Sequence, residues 1–287
     1  MREPVYVCRF EPNVMPRIRD KAAAIRVDRC EDIIEAALAA NQYNVRLRCL
    51  LVDSEIPLAN IPFREDWSKI PLAVYVPSLG RFRRFADQIE ILRHLNIRVY
   101  IPTSSIESYA HLRILSSLGI NTAIVFDDGY LDWEELNDLM IYSVFGFVGH
   151  SPIEPFAFII RNYKITEALN FAGVYFDDPA TFLHIDGNGN AALTRRKFLD
   201  NDVFPLDPDN PFAGVYTREL RKYRAAHKEF FLKEEGCAYC PGWRICLGKF
   251  SHLKEKGARC GEFFSDLLDA VERYQEIQSS KVEQWQP

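Results

Sequence analysis

Several features that would assign a function at once are missing from this 287-residue chain. No apolar run approaches about 18 residues, which is the length that a membrane-spanning helix needs. The first residues, MREPVYVCRFEPN, lack the long apolar centre of a secretory signal peptide. The sequence has no G-x-x-x-x-G-K or G-x-G-x-x-G phosphate-binding loop, and no serine, histidine and aspartate at the spacing of a hydrolase motif. Membrane insertion and these common catalytic chemistries are therefore not predicted.

The chain also lacks an excess of positive charge and an even set of cysteines. Its net charge of −5 and isoelectric point of about 5.8 argue against a dedicated nucleic-acid-binding protein. Seven cysteines, three of them isolated, fit a reducing compartment better than a disulfide framework. We therefore expect a cytoplasmic protein with neither a nucleic acid nor a membrane as its partner.

Four of the seven cysteines are concentrated in one stretch, with the spacing Cys237-x2-Cys240-x5-Cys246-x13-Cys260. Two thiolates separated by two residues can bind one metal centre from a single tight turn. A proline and a glycine follow the second cysteine and allow the backbone to reverse there. The four residues therefore predict a metal centre.

Two kinds of metal centre are compatible with four cysteines, namely zinc in a tetrahedral structural site and an iron–sulfur cluster. The unequal spacing departs from the paired CxxC knuckles of zinc ribbons. Apolar residues beside the cysteines would exclude water from a redox cluster, although they would serve equally well as ordinary core. These flanking residues are Tyr239, Trp243, Ile245, Phe250, Phe263 and Phe264.

The stretch CAYCPGWRICLGKF, with the later cysteine and the segment FFSDLL, resembles the SPASM auxiliary-cluster domain of radical SAM peptide-modifying enzymes. In that family, Cys-x2-Cys-x5-Cys and one further cysteine can bind a [4Fe–4S] cluster. The resemblance implies that Cys237, Cys240, Cys246 and Cys260 do so here. TFLHIDGNGNAALT resembles the family's hairpin, and YTRELRKYRAAHKEFFLKEE resembles the helix that precedes the cluster.

The rest of the family pattern is incomplete. Radical SAM enzymes use a CxxxCxxC motif to bind the cluster that cleaves S-adenosylmethionine, whereas Cys8, Cys30 and Cys49 are 22 and 19 positions apart. Two expected ligands of a second auxiliary cluster are also missing, because their positions hold Thr194 and Phe250. The chain thus resembles a pseudo-radical-SAM protein with one cluster and without S-adenosylmethionine as a cofactor.

Strand-like and helical segments alternate between residues 72 and 143. Strands are predicted at 72–77, 97–102 and 121–127, and an amphipathic helical pattern follows each of them. This alternation predicts parallel strands joined by right-handed crossovers, and hence an α/β fold. Periodicity leaves a partial (β/α) barrel and a doubly wound sheet open. The resemblance implies a partial (β/α) barrel of radical SAM type with a small C-terminal cysteine-rich SPASM-like domain.

The chain is divided accordingly into three parts. Residues 1–175 are expected to form the barrel-like domain without the radical SAM cluster motif, and residues 176–278 the SPASM-like iron–sulfur domain. Residues 279–287 form a polar tail that we predict to be disordered. Within the first part, residues 4–10 predict a strand at a sheet edge, and residues 53–71, interrupted by prolines, predict a surface loop.

These features predict an accessory protein of a system that matures ribosomally made peptides. The chain would partner a radical SAM maturase, its precursor peptide, or both, through substrate recognition or electron relay. It is not expected to cleave S-adenosylmethionine by itself, because the radical-initiating cysteines are absent.

Two alternatives stay open. In the first, the barrel performs non-radical chemistry with Asp127, Asp128 or His150, although the aspartates equally suit helix caps and a single histidine is often structural. In the second, the chain is a zinc-stabilised binding protein without a redox role. The helix predicted at 217–235 is either a docking face for an acidic partner or a solvated surface; its basic residues are Arg218, Arg221, Lys222, Arg224 and Lys228.

Overall fold

The computed structural model shows an α/β protein whose strands pair mostly in parallel. The predicted fold class is therefore confirmed at this level. The structure describes residues 3–126, 131–146, 149–206, 214–233, 235–250 and 259–283.

Ten strands and eleven α-helices occur in these ranges. The strands are β1 (Val5–Arg9), β2 (Ala22–Val27), β3 (Arg46–Asp53), β4 (Leu72–Tyr75), β5 (Ile97–Pro102), β6 (Asn121–Val125), β7 (Ile153–Glu154), β8 (Phe182–Ile185), β9 (Asn190–Ala192) and β10 (Phe204–Pro205). The helices are α1 (Asp32–Gln42), α2 (Phe82–Ala86), α3 (Ile89–His94), α4 (Ile106–Ser117), α5 (Trp133–Phe145), α6 (Phe156–Asn162), α7 (Arg195–Leu199), α8 (Val215–Lys233), α9 (Glu235–Ala238), α10 (Trp243–Cys246) and α11 (Cys260–Glu283). None of the helices in the described ranges combines the length and the apolarity that crossing a membrane requires.

The chain divides into two compact units. Unit 1 consists of Met1–Tyr100 and Ala172–Lys228, and unit 2 of Ile101–Phe171 and Glu229–Pro287. Each unit is therefore built from two separate segments of the sequence.

The strands of unit 1 lie in the order β10-β9-β8-β1-β2-β3-β4-β5. β1 to β5 pair in parallel with their neighbours, which confirms the prediction for the strands at 72–77 and 97–102, and β8 joins β1 in parallel. The hairpin predicted around Gly189 is confirmed, since β9 returns antiparallel to β8 and Gly189 has a φ of 87°. β1 is an internal strand, so its prediction as an edge strand is wrong; Tyr6, Val7 and Cys8 are all buried.

Two other local predictions need correction. The segment 53–71 contains two short 3₁₀ helices, Leu58–Asn60 and Glu65–Trp67, and it buries Leu58 and Trp67, so it is more than a surface loop. The single helix predicted after β4 is broken into α2 and α3.

Unit 2 pairs β6 in parallel with β7 and packs the long helix α11 against α5 and α6. Asp132 caps α5, because its Oδ1 atom accepts the N–H groups of Glu134 and Glu135 at 3.0 and 3.1 Å. α11 ends at Glu283, beyond the predicted end at residue 278. Its final turns continue through serines, as the Ser279 hydroxyl bonds the Gln275 carbonyl.

Candidate metal centre

The four clustered cysteines line one cavity in unit 2. Cys237, Cys240, Cys246 and Cys260 border a space of about 250 Å³, together with Trp243, Phe264 and several backbone segments rich in glycine. The cysteines come from three short pieces of chain, so the cavity exists only because these pieces fold against each other. Its lining is predominantly apolar apart from the four thiols.

The first two cysteines lie on a tight turn. Cys237 belongs to α9, and the N–H group of Cys240 donates to its carbonyl oxygen at 3.1 Å. The carbonyl oxygen of Cys240 in turn accepts the N–H group of Trp243 at 3.1 Å, which begins α10. A Cβ atom added to Gly261 would lie 3.8 Å from the Cys240 sulfur. The sulfur of Cys240 therefore approaches the first turn of α11, where Cys260 is located.

Gly242 is required for a different reason from the one that the sequence indicates. Its φ of −69° is open to any residue, so left-handed backbone freedom is not needed. A Cβ atom at this position would lie only 2.3 Å from the Cβ of Phe264. Gly242 thus lets the turn pack directly on α11, and this contact closes one side of the cavity.

Cys246 ends α10 and is followed by two left-handed residues, Leu247 (φ 49°) and Gly248 (φ 80°). Burial raises the pKa of the Cys246 thiol to about 11, and the nearby Cys260 adds to this rise. Backbone groups of residues 248–250 hydrogen-bond the sulfur and shift its pKa in the opposite direction. Hydrogen bonds to the ligating sulfurs are also a feature of iron–sulfur centres.

Cys260 is the first residue of α11 and is 8% exposed. The beginning of a helix carries partial positive charge from its unpaired N–H groups. Cys260 is thus fixed at the first position of a helix of 24 residues.

Trp243 and Phe264 line the cavity, and other aromatic residues pack behind them. Trp243 packs against Phe230 and Phe231, with ring centroids 6.0 and 4.7 Å apart. Phe264 packs against Phe250 at 5.7 Å. The prediction is wrong for Tyr239, because its position at the outside of the turn leaves it 88% exposed; the buried members are Ile245, Phe250, Phe263 and Phe264.

The four thiols share a cavity without converging on one point. In the part of the chain that the structure describes, no three side chains of histidine, cysteine, aspartate or glutamate form a group that could hold a metal ion. All seven cysteines are free thiols. Outside the cavity, Cys8 and Cys49 are buried in the strands of unit 1, and burial raises the pKa of each to about 12.

The weaker catalytic candidates are not brought together by the described residues. Asp127 and Asp128 lie outside the described residues. His150 lies against the end of α5, where its Nε2 atom is 3.3 Å from the Ser143 carbonyl oxygen and its ring is 4.8 Å from that of Tyr142. Both contacts are with residues of α5, so they are local in the sequence.

Sequence reasoning missed two features of the site. The glycine of the CLGKF segment indicates a left-handed turn, but the influence of the backbone at residues 248–250 on the pKa of the Cys246 thiol becomes apparent only in the structure. The close approach between Gly242 and Phe264 joins residues 22 positions apart, so no local sequence pattern predicts this contact.

A comparison of the chain with models of protein families, with curated proteins and with solved structures yields no significant match. A function therefore has to come from the residues themselves, above all from the cavity that the four cysteines line.

Proposed function

We propose that Cys237, Cys240, Cys246 and Cys260 bind one [4Fe–4S] cluster, and that the chain is an accessory iron–sulfur protein of a peptide-modifying system. The observation that carries the proposal is that all four cysteines border the same cavity. Four cysteine thiolates are a donor set that iron–sulfur clusters use.

The cavity has room for a multi-atom cofactor. Zinc in a four-cysteine site makes four bonds of about 2.3 Å, so the sulfurs close around the ion and leave no space between them. Here the thiols border about 250 Å³ and do not form a single-ion group among the described residues. A multi-atom cofactor suits this arrangement better.

The surrounding residues define what the protein contributes to such a site. Trp243 and Phe264 line the cavity, and the backbone at residues 248–250 opposes the rise in the pKa of Cys246 that burial causes. A bound cluster would supply one-electron transfer, or a fixed anchor for a partner. Water exclusion and hydrogen bonds to sulfur are the two features by which a protein tunes the potential of such a cluster.

The accessory role is supported by what the sequence lacks and by one surface. Without CxxxCxxC, a radical reaction would have to come from a partner, and we propose a radical SAM maturase or its precursor peptide. Helix α8 offers exposed Arg221, Arg224 and Lys228, which form no ion pair with any described residue. Two other basic residues of α8, Arg218 and Lys222, are instead paired with Glu219.

The same proposal includes a specific arrangement of the α/β fold. We propose that the parallel strands and their crossover helices form the partial barrel of radical SAM type. The regular alternation from β2 to β6 supports it, since each of these strands is followed by a helix or by a pair of short helices.

The decisive experiment is an anaerobic count of metal and sulfide with an absorption spectrum. We expect roughly four iron and four sulfide per chain and broad absorption near about 400 nm. Protein prepared anaerobically that contains one zinc and no iron would overturn the cluster, and would identify a zinc-stabilised binding protein instead.

The accessory role has a separate test. With a strong reductant and S-adenosylmethionine, the purified chain should form no 5′-deoxyadenosine, because it lacks the three closely spaced cysteines that this cleavage needs. Product formation at a rate proportional to the amount of the chain, in preparations free of any maturase, would contradict the role. A known radical SAM enzyme under the same conditions is the positive control.

A further inference from the structure

Unit 1 contains a second group of chemically active side chains, at the carboxyl ends of its parallel strands. Arg26 lies near the end of β2, Asp53 ends β3, Tyr75 ends β4, and Arg195 begins α7. Asp53 lies directly opposite Tyr75 in the sheet, and Tyr75 lies opposite Tyr100, so these three side chains share one face. This edge of a parallel sheet is where α/β proteins usually bind ligands.

Two of these side chains, both arginines, donate hydrogen bonds to the same carboxylate oxygen. Arg26 Nη1 and Arg195 Nη2 both donate to Oδ2 of Asp53, the second at 3.3 Å. Among these three side chains, two positive charges therefore face one negative charge, an excess of one positive charge within the group. The Arg26 side chain is 16% exposed, whereas those of Asp53 and Arg195 are 33% and 45% exposed. The group is thus largely enclosed but open to solvent at the Arg195 side.

Most of the hydrogen-bond donors of these two arginines are unused by the described residues. A guanidinium carries five N–H donors. Among the described residues, Asp53 is the one acceptor that either guanidinium contacts. Within the described part of the chain, Arg26 has no buried nitrogen without a partner, and the Arg195 side chain is 45% exposed, so the remaining donors of both guanidiniums face solvent and are accessible to a ligand. A guanidinium can satisfy two donors at once on a carboxylate or phosphate group.

Two tyrosines of the neighbouring strands β4 and β5 stack on each other. Tyr75 and Tyr100 are stacked with ring centroids 4.3 Å apart, and the Tyr100 hydroxyl donates to the Val174 carbonyl at 2.8 Å. Burial raises the pKa of Tyr75 well above its ordinary value, so its hydroxyl keeps its proton and remains a donor. These contacts hold the two rings against each other and tie Tyr100 to the backbone at Val174.

One further carboxylate lies near Arg195 and has its own partners. Asp177 Oδ1 is 3.0 Å from Nε2 of His184 and accepts the backbone N–H of Arg195 at 2.6 Å. Its hydrogen bonds fix the backbone from which the Arg195 side chain extends, and they do not involve the guanidinium of Arg195.

We propose that this strand-end cluster, defined as Arg26, Asp53, Tyr75 and Arg195, binds a small ligand through a carboxylate or phosphate group. The oxyanion would accept hydrogen bonds from both guanidiniums and from the Tyr75 hydroxyl, and it would neutralise the local positive excess. The inference does not rest on the proposed iron–sulfur function, because all of its residues belong to unit 1.

The test is titration of the full-length protein with sodium phosphate and, separately, with glutarate, at constant ionic strength and followed by calorimetry. We expect saturable binding of at least one anion, and the stronger one identifies the group that the site accepts. Arg195→Gln should weaken it about 10- to 100-fold, which is the loss of one charge-assisted hydrogen-bonding group. This side chain is half-exposed, so its replacement is compatible with folding.

The matched control is Arg29→Gln, which removes the same charge from an exposed ion pair with Asp32. It should leave anion binding unchanged. The proposal is overturned if neither anion binds saturably to the unmodified protein, or if Arg195→Gln and Arg29→Gln weaken binding equally. Iron content measured on the same samples separates this result from any failure of the iron–sulfur site.

Discussion

The cysteine cavity of unit 2 and the strand-end cluster of unit 1 are assembled in opposite ways. The cavity takes four side chains of one kind from positions 237 to 260, a span of 24 residues. The strand-end cluster takes arginine, aspartate and tyrosine from positions 26 to 195, a span of 170 residues. The first kind of site can be recognised in a sequence from spacing alone. The second exists only because a parallel sheet places the ends of distant strands side by side.

The two sites also differ in what holds them together. Around the cavity, aromatic rings and close backbone contacts carry the structure, and the thiols have few charged neighbours. In the strand-end cluster, ion pairs and stacked tyrosines do so. Changes of volume should therefore disrupt the cavity, whereas changes of charge should act on the strand-end cluster.

Removal of one thiol should have the largest effect. Cys240→Ala should abolish iron binding and expose residues 229–287 to protease, because metal binding and local folding are coupled. Iron content and limited proteolysis measure both. Cys30→Ala, at a half-buried thiol of unit 1, is the control and should keep its iron. Full iron content in the Cys240 variant would show that the ligand assignment is wrong.

Gly242→Ala tests the close approach that shapes the cavity. The added Cβ would meet Phe264 at 2.3 Å, and such overpacking should cost about 1–3 kcal/mol of unfolding free energy. Urea unfolding followed by tryptophan fluorescence measures the loss. Gly149→Ala is the matched control in the same unit, since nothing lies within 4 Å of its added Cβ. Equal stability of the two variants would mean that the turn moves away from α11 at no cost.

Asp53→Asn changes charge alone and should act on the strand-end cluster alone. Without the competing carboxylate, the two arginines should bind phosphate or glutarate more tightly, by about tenfold for a gain of 1.4 kcal/mol. Iron content should stay unchanged. Calorimetric titration of both anions is the measurement, and weaker binding in this variant would contradict the role given to Asp53.

Charge reversal on α8 should have the smallest effect on the protein itself. Replacing Arg221, Arg224 and Lys228 by Glu should leave folding and iron content intact, since all three side chains are exposed. Association with a maturase or an acidic precursor peptide should slow about tenfold at low salt, because charge steers encounter. Stopped-flow association at low and high salt measures this.

The control for α8 carries the same change of charge at other exposed sites of unit 1. Association that is insensitive both to salt and to reversal on α8 would leave this helix face without a docking role. Equal slowing in the control would assign the effect to net charge instead; the control positions are Arg29, Arg64 and Arg93.

The sequence allowed the α/β class and the parallel pairing of β4 with β5 to be predicted, because each depends on a local pattern. It also allowed four cysteines to be grouped, since their spacing is short. The internal position of β1 could not be predicted, because it depends on β8 pairing with it from far along the chain. The hydrogen bonds from Arg26 and Arg195 to Asp53 are equally non-local. They could not be predicted, because a single charged residue has no sequence pattern that identifies its partner.

The internal position of β1 also sets an order of events during synthesis. β1 can pair with β2 soon after both are made, but its other edge waits for β8, since Val5 pairs with Phe182. At ribosomal rates of about 5–20 residues per second, this delay of 177 residues lasts roughly 9–35 s. During that time an apolar strand edge is open to wrong pairing with another chain. The amount of soluble protein obtained on expression should therefore depend on chaperones that bind nascent chains.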